Sequence, residues 1–168
     1  TFQYRTTNSV DPAGLNGQSV FNGTASGNRV WGGVDNDTLL GNEADDVLEG
    51  DDGADVAIGG EGNDIITDRA GDDVPKGGPG NDAIEAGPGL DILMGGTGHD
   101  YLNGGTNDNE TFAGEGDDLV VAGQGIDAVF GDGGSDWIQG GDGQDLLQGD
   151  SGAPFFDDPN KPGHDILI

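Results

Sequence analysis

The sequence predicts an all-β fold, a right-handed parallel β-roll (β-solenoid) built from short strands. Three observations predict it: a nine-residue period runs through most of the chain, glycines recur at fixed places within it, and apolar residues recur at one place. A fixed period of this kind is typical of a solenoid, in which each repeat contacts only its neighbours. Parallel crossovers in chains of L-residues are right-handed, which sets the expected hand of the coil.

The composition indicates that something other than a broad apolar core holds this fold. The chain has 168 residues, of which 36 are glycine, and this suits one domain with a thin core. Its 33 acidic and 5 basic residues give a formal charge of −28, so self-repulsion should expand the chain unless polyvalent cations bind. Binding to phosphates requires basic residues, which excludes nucleic acid and anionic membrane surfaces as partners.

Other classes of protein are excluded by what the sequence lacks. There is no cysteine, so disulfides and thiolate metal sites are ruled out. No apolar run approaches the length that spans a membrane. The chain opens at Thr1 without a Met or a signal peptide, and we expect it to be a fragment of a longer protein.

The repeat is clearest from Gly32 to Gln148, where thirteen rows of nine residues align without a gap. The consensus is G-G-x-G-x-D-x-U-x, in which U is apolar. Four rows follow it closely: Gly59–Thr67, Gly77–Glu85, Gly95–Asn103 and Gly140–Gln148. The even spacing of the acids argues against a disordered acidic tail, which has no reason to be periodic.

Weaker repeats flank this block and set the expected boundaries. Two degenerate rows cover residues 14–31 and keep an apolar eighth place, while residues 1–13 are expected to form an N-terminal cap. Residues 149–168 look like one more row, split by an inserted loop from Pro154 to Pro162 and resuming at Gly163. The predicted roll therefore extends over residues 14–168.

The spacing within a row predicts a turn that binds cations, followed by a strand. Glycine at the first, second and fourth places permits positive φ and close backbone approach, so a row can turn sharply. The last three residues are too few for a helix and form a short strand. Two rows make a coil of eighteen residues, which places each sixth-place Asp over the Asp of the next coil. Oxygen-rich sites of this kind suit Ca²⁺ better than Mg²⁺ or Zn²⁺.

The predicted metal ligands are the sixth-place residues, which form nine neighbouring pairs of aspartates. With the sites at the ends of the roll and those that contain Asn, we expect about nine to twelve calcium ions in the turns. The predicted ligands are Asp37, Asp46, Asp55, Asp64, Asp73, Asp82, Asp91, Asp100, Asn109, Asp118, Asp127, Asp136, Asp145 and Asp165.

The consensus resembles the RTX (haemolysin-type) calcium-binding nonapeptide repeat. The resemblance implies a calcium-binding domain of a larger exported bacterial protein, which leaves the cell unfolded by type I secretion and folds in extracellular calcium. The sequence of the terminal segment is similar to that of the repeat region of bacterial exoproteins with an animal haem peroxidase-like domain. The alternative function is therefore an accessory or interaction domain of a secreted enzyme, peroxidase-like, or of an adhesin.

No catalytic centre is predicted. The string from Gly149 to Pro154 resembles the nucleophile motif of serine proteases, but it continues the nonapeptide register and lacks a positioned base. Carboxylate pairs recur at every coil, whereas a glycosidase needs one asymmetric pair in a cleft. His99 and His164 fall at the fifth place, where we expect a solvent-facing turn.

Two further expectations concern the odd rows, counted from Gly32. Their inward eighth places include Ala57, Pro75 and Thr111, so we expect one sheet to be weaker and its ladder to be broken at Pro75. Their outward places are apolar in several rows, and we expect a partner to cover this face. The candidates are a neighbouring domain, a second copy of the chain or the segment around Phe155 and Phe156, and the residues to be covered are Ile58, Met94, Phe112 and Phe130.

Overall fold

The chain winds into a β-solenoid in the computed structural model, which describes residues 3–6, 18–150 and 166–168. Over these residues the regular structure consists of seventeen strands, and none of it is helical. The strands are β1 Gln3–Thr6, β2 Ser19–Asn22, β3 Arg29–Val34, β4 Thr38–Glu43, β5 Val47–Asp52, β6 Val56–Glu61, β7 Ile65–Thr67, β8 Val74–Pro79, β9 Ala83–Glu85, β10 Ile92–Thr97, β11 Tyr101–Asn103, β12 Glu110–Glu115, β13 Leu119–Gln124, β14 Ala128–Gly133, β15 Trp137–Asp142, β16 Leu146–Asp150 and β17 Ile166–Leu167.

Alternate strands belong to opposite sheets, as the eighteen-residue coil predicts. One sheet has the order β1-β2-β4-β6-β8-β10-β12-β14-β16 and the other β17-β15-β13-β11-β9-β7-β5-β3. Every pairing is parallel, and Leu48, Ile66 and Ile84 stand in register as the same place of three successive coils. The prediction of an all-β parallel roll is therefore confirmed.

Most strands are longer than the sequence indicates. The nonapeptide predicts strands of three residues, and β7, β9 and β11 have that length, but β5 and most others have six. The added residues are the first three places of the next row, as in Gly50, Asp51 and Asp52 at the end of β5. Neighbouring coils supply hydrogen-bond partners to these residues, and this tertiary context overrides the low strand propensity of glycine.

The core is a double column of eighth-place side chains, one column from each sheet. These side chains include Leu39, Leu48, Ile66, Leu93 and Leu102, which have no exposed surface. The three predicted defects also point inward, because Ala57, Pro75 and Thr111 are all buried. The apolar core is thus only about two side chains wide, and each coil depends on its neighbours for burial.

The ladder defect at Pro75 is confined to one side, so the expected break is only half correct. On the side of β6, Ala57 pairs with Pro75 without interruption, whereas on the side of β10 the pairing begins at Lys76. The amide of Val74 donates to the carbonyl of Asp55 in the preceding coil. Because successive amides of a strand face opposite neighbours, the missing N–H of Pro75 faces β10.

Both ends of the roll continue the sheets. Strand β1 pairs with β2 and forms the edge of the nine-stranded sheet. Strand β17 pairs with β15 so that Leu167 stands beside Ile138, an eighth-place residue. The predicted resumption of the repeat after Gly163 is therefore in register, while the inserted loop and Phe155 and Phe156 lie outside the described residues.

Candidate metal centre

The sixth-place carboxylates are buried in the turns and link successive coils. The amide of Asp64 donates to Oδ1 of Asp82 at 2.8 Å, and the amide of Asp82 donates to Oδ1 of Asp100 at 2.8 Å. The same bond recurs along both sides of the roll, from Ser19 with Asp37 to Asp127 with Asp145. One carboxylate oxygen of each Asp is therefore held by the backbone of the preceding coil.

The second carboxylate oxygen of these residues is buried and has no hydrogen-bond partner. A buried carboxylate oxygen without a partner is costly, and such oxygens in native proteins are expected to contact a donor or a cation. Here they recur at intervals of nine residues, which identifies a repeated site and not a local defect. The oxygens are Oδ2 of Asp37, Asp46, Asp55, Asp64, Asp73, Asp82, Asp91, Asp100, Asp118 and Asp127.

Backbone carbonyls converge on the same places, and the first-place glycines leave room for them. A Cβ added at Gly32 would lie 2.8 Å from Oδ2 of Asp37 and 2.7 Å from the carbonyl oxygen of Gly50. Gly95 is similarly crowded by Oδ2 of Asp100 and the carbonyl oxygen of Ala113. Carboxylate and carbonyl oxygens that meet in this way are the donor set that Ca²⁺ prefers.

Positive φ occurs at two of the three glycine places of the consensus. Gly60 and Gly62, at the second and fourth places of their row, have φ of 117° and 137°. The first-place Gly59 does not belong to this group, and its Cα instead faces Oδ2 of Asp64. The first-place glycine is therefore required for space beside the carboxylate, and the other two for the turn itself.

The electrostatics of the turns also favour a cation. Burial raises the pKa of Asp37, Asp64, Asp73, Asp82 and Asp100 to about 6, and that of Asp91 to about 7, more than the amide hydrogen bonds lower it. Burial also raises the pKa of Asp55, Asp118 and Asp127. A bound Ca²⁺ would offset this cost, because it stabilises the ionised form of its ligands.

The comparison with known families agrees with this geometry. The family model of the RTX calcium-binding nonapeptide repeat (4 copies) matches residues 14–48, 22–57, 49–84, 76–110, 85–120, 112–129 and 121–155. The chain belongs to the RTX calcium-binding nonapeptide repeat family. It is therefore a calcium-binding repeat domain, and calcium is its expected partner. A comparison with curated proteins found no match.

The predicted sixth-place ligands fall at the turns of successive coils. The sixth-place Asp residues from Asp37 to Asp136 are buried in the turns, whereas Asp145 is only half-buried and Asp165 lies outside the described residues. Within the described residues, His99 is exposed, and its Nδ1 accepts the amide of Asp117 at 3.0 Å. The other histidine, His164, is not among them.

Asn109 differs from the aspartates in the same column. Its Oδ1 accepts the amide of Asp91 at 2.9 Å, as an Asp would, but its Nδ2 donates to the carbonyl of Asn107 at 3.0 Å. Asn28 does the same with the carbonyl of Ser26. In both residues a side-chain N–H bonds the fourth-place carbonyl, so an N–H stands where the other turns have an Oδ2 without a partner.

A second ladder of side chains, at the fifth place, was not predicted. The amide of Asn63 donates to Oδ1 of Asp45, and the amide of Asn81 to Oδ1 of Asn63, both at 2.8 Å. These bonds run in the opposite direction to those of the sixth place, so successive coils are tied by reciprocal contacts. The signal in the sequence is the frequency of Asn and Asp at the fifth place.

Asp68 is a further acidic residue that sequence analysis missed. It occupies the first place of a degenerate row, and its carboxylate lies with those of Asp55 and Asp73, the ligand atoms all within 4.8 Å of one another. Burial, followed by the charge of Asp73, raises the pKa of Asp68 to about 8. The nonapeptide pattern has its acidic ligand at the sixth place and indicates none at the first.

Two other features bear on function. Gly149 and Asp150 continue strand β16, which agrees with their place in the repeat, while Ser151 lies outside the described residues. Within the described ranges, no helix is long and apolar enough to cross a membrane.

Proposed function

We propose that calcium binding and folding of this domain are one equilibrium, and that the folded roll stabilises a larger exported bacterial protein. The observation that carries this proposal is the recurrence of buried carboxylate oxygens without a protein partner, at Asp64, Asp82 and Asp100 and at their equivalents. A chain with a charge of −28 and a core about two side chains wide has little to oppose self-repulsion. Free energy of calcium binding then becomes free energy of folding.

The same argument supports a role in secretion. A chain that stays expanded at low calcium is suited to export in an unfolded state, and calcium outside the cell would then drive folding. Membership of the RTX family favours type I secretion and an extracellular location. In this proposal, residues 1–13 cap the domain and residues 14–168 form the roll, with about nine to twelve calcium ions in its turns.

A calcium titration followed by circular dichroism tests the folding equilibrium. We expect little β structure in excess chelator and a cooperative gain as Ca²⁺ is added. Mg²⁺ at the same concentrations is the matched control and should produce a much smaller gain, because it prefers a tighter octahedral site and keeps its water. Equal β content with chelator and with calcium would overturn the proposal.

A second candidate function is that of an accessory domain with an interaction face, in a secreted peroxidase-like enzyme or an adhesin. The observation in its favour is a column of outward apolar residues on β6, β10, β12 and β14, which Lys76 of β8 interrupts between β6 and β10. Phe112 and Phe130 of this column stack with ring centroids 5.2 Å apart. Ile58 and Met94 belong to the same column, and all four are half-buried.

The two faces of the roll differ less than the sequence indicates. Exposed apolar residues also occur on the other sheet, where Ile65 is 48% and Trp137 45% exposed. Only the ninth place distinguishes the faces, because it is mostly polar on that sheet, as in Glu49, Thr67 and Glu85. The apolar column therefore supports an interface with a neighbouring domain or a second copy less strongly than the turns support calcium binding.

Paired substitutions in the intact parent protein test this interface. We expect Phe112→Ser with Phe130→Ser to change its oligomeric state or its solubility if the column is covered. The control is Ile65→Ser with Trp137→Ser, which removes exposed apolar surface from the opposite sheet. An unchanged oligomeric state, solubility and calcium-dependent stability would show that the column is an ordinary strand surface.

A further inference from the structure

One turn of the roll contains three carboxylates. In the described rows, the first place is otherwise occupied by glycine or by the small residue Ala, as in Ala86 and Ala113, but in row 68–76 it is Asp68. Asp68 faces the turn where Asp55 and Asp73 already stand one coil apart. Asp68, which departs from the consensus, thus adds a third carboxylate to this turn.

The carboxylate of Asp68 occupies the position that a backbone carbonyl takes in the neighbouring turns. At Gly32, the atoms nearest to an added Cβ are the carbonyl oxygen of the next coil's first residue and the Oδ2 of the row's own aspartate. At Gly50, the corresponding atoms are Oδ2 of Asp68 and, at 2.5 Å, Oδ2 of Asp55. A charged oxygen thus replaces a neutral one at this turn.

The orientation of Asp68 is fixed by the backbone. Its Oδ1 accepts the amide of Arg69 at 2.9 Å, which directs Oδ2 towards Asp55. The amide of Asp68 itself donates to the carbonyl of Glu85 in the next coil at 2.8 Å. The side chain is therefore half-buried at the turn, with Oδ2 facing Asp55.

The other two carboxylates show that this turn requires a ligand. Asp55 is 1% exposed and Asp73 is 0% exposed, and Oδ2 of each has no hydrogen-bond partner. The adjacent cationic side chain does not compensate them, because Arg69 Nη1 pairs with Oδ1 of Asp51 at 2.8 Å and is largely exposed. Three carboxylates within 4.8 Å of one another repel strongly unless a cation lies among them.

We propose that Asp55, Asp68 and Asp73 form a distinct calcium site, the tightest of the roll, which is loaded first and released last. The affinity of calcium sites rises with the number of charged ligands, and this site has one more than the consensus turn. The proposal rests on the proposed calcium-dependent function, but it concerns one site only. Asp68 thereby turns a degenerate row into the most strongly held part of the roll.

Two substitutions at Asp68 test this site in the full chain. Asp68→Gly restores the consensus residue and should not impair folding, and Asp68→Asn keeps the shape while removing the charge. Calcium binding is measured by competition with a chromophoric chelator, and release by mixing the loaded chain with an excess of that chelator. We expect both variants to lose one equivalent of tight binding, with affinity at this site reduced about tenfold or more, and to lose the slowest release phase.

Asp132→Gly is the matched control. It also removes one negative charge and restores a consensus glycine, at a second place seven rows further along the roll, and it should leave the tight equivalent and the slow phase unchanged. Identical binding and release in wild type and both Asp68 variants would overturn the proposal, as would tighter binding in Asp68→Gly. A wild-type chain that binds no calcium would instead refute the proposed function itself.

Discussion

At the scale of single residues, each turn depends on whether its sixth place is Asp or Asn. An Asp leaves Oδ2 buried without a partner, as in Asp82, whereas Asn109 fills the same position with an N–H that bonds Asn107. The amide nitrogen of Asn thus takes the role that a cation would take beside Asp. The sequence predicts Asn109 as a calcium ligand like the aspartates of its column, whereas in the structure its side-chain N–H bonds a carbonyl of its own turn.

We therefore expect Asn109→Asp to create a turn whose carboxylate requires calcium. The new carboxylate would lose the bond to Asn107 and place an oxygen against that carbonyl, a repulsion that only a cation relieves. We expect one additional calcium ion per chain by equilibrium dialysis, and a higher calcium requirement for full β structure by circular dichroism.

The control for this prediction is Asn81→Asp. It adds the same charge at an exposed fifth place and keeps the oxygen that accepts the amide of His99. The number of bound ions should not change in this variant. An unchanged number in Asn109→Asp as well would mean that the sixth place does not determine occupancy.

Periodicity predicted the residues that repeat, but not those that depart from the repeat. The sixth-place ligands and the inward column follow from the nine-residue period, since each place has the same environment in every coil. Asp68 could not be recognised as a ligand, because its role depends on the position of its Oδ2 beside Gly50. The distances between side chains of neighbouring coils cannot be predicted from the pattern of a single row.

At the scale of elements, strand length and ladder continuity are decided by neighbouring coils. Glycines at the first and second places have low strand propensity, yet Gly59 and Gly60 continue β6 to Glu61, and most other strands are extended in the same way. At Pro75 the ladder fails only towards β10, because only that neighbour would have received its amide. The sequence located this defect correctly but could not indicate which face of the strand it affects.

Thr111 is a second defect in the same sheet, and replacing it with an apolar residue should stabilise the folded chain. Its side chain is 1% exposed among apolar neighbours, and Oγ1 has no hydrogen-bond partner. Thr111→Val keeps the shape and removes a buried unsatisfied hydroxyl, so we expect unfolding free energy in saturating calcium to rise by about 1 kcal/mol. Denaturant unfolding with an unchanged m value measures this effect.

The reverse substitution one coil further along is the control. Val129 stands beside Thr111 in the ladder, is fully buried, and has the shape of Thr. Val129→Thr should lower the unfolding free energy by about 1–3 kcal/mol, because it buries a new hydroxyl without a partner. A Thr111→Val variant no more stable than wild type would indicate that Oγ1 is satisfied in solution.

At the scale of the whole molecule, the acids that give the chain its charge of −28 fall into two groups. Exposed acids such as Asp45 and Asp117 accept amides at the edges of the turns and remain solvated. Buried acids such as Asp64 and Asp82 oppose folding when they are ionised without a cation. The sequence predicts the total charge, but only the packing of the coils separates these two groups.

This separation predicts opposite effects of pH with and without calcium. In the folded chain without metal, burial raises the pKa of Asp64, Asp73 and Asp82 to about 6, above the value of about 3.9 for an unfolded chain. Their contribution to stability is thus fully present below the unfolded value and is lost as pH rises through about 6. Metal-depleted protein should therefore gain β structure as the pH is lowered from about 7.5 to about 5. With calcium present, the calcium concentration for half-maximal folding should rise over the same pH range, because protons compete with calcium for the carboxylates.

Circular dichroism measures β structure in both experiments, with and without calcium. The control is about 1 M salt at pH 7.5, which screens the exposed acids but leaves the buried ones ionised. If salt alone restores as much β structure as acid, general repulsion and not the buried carboxylates keeps the chain unfolded.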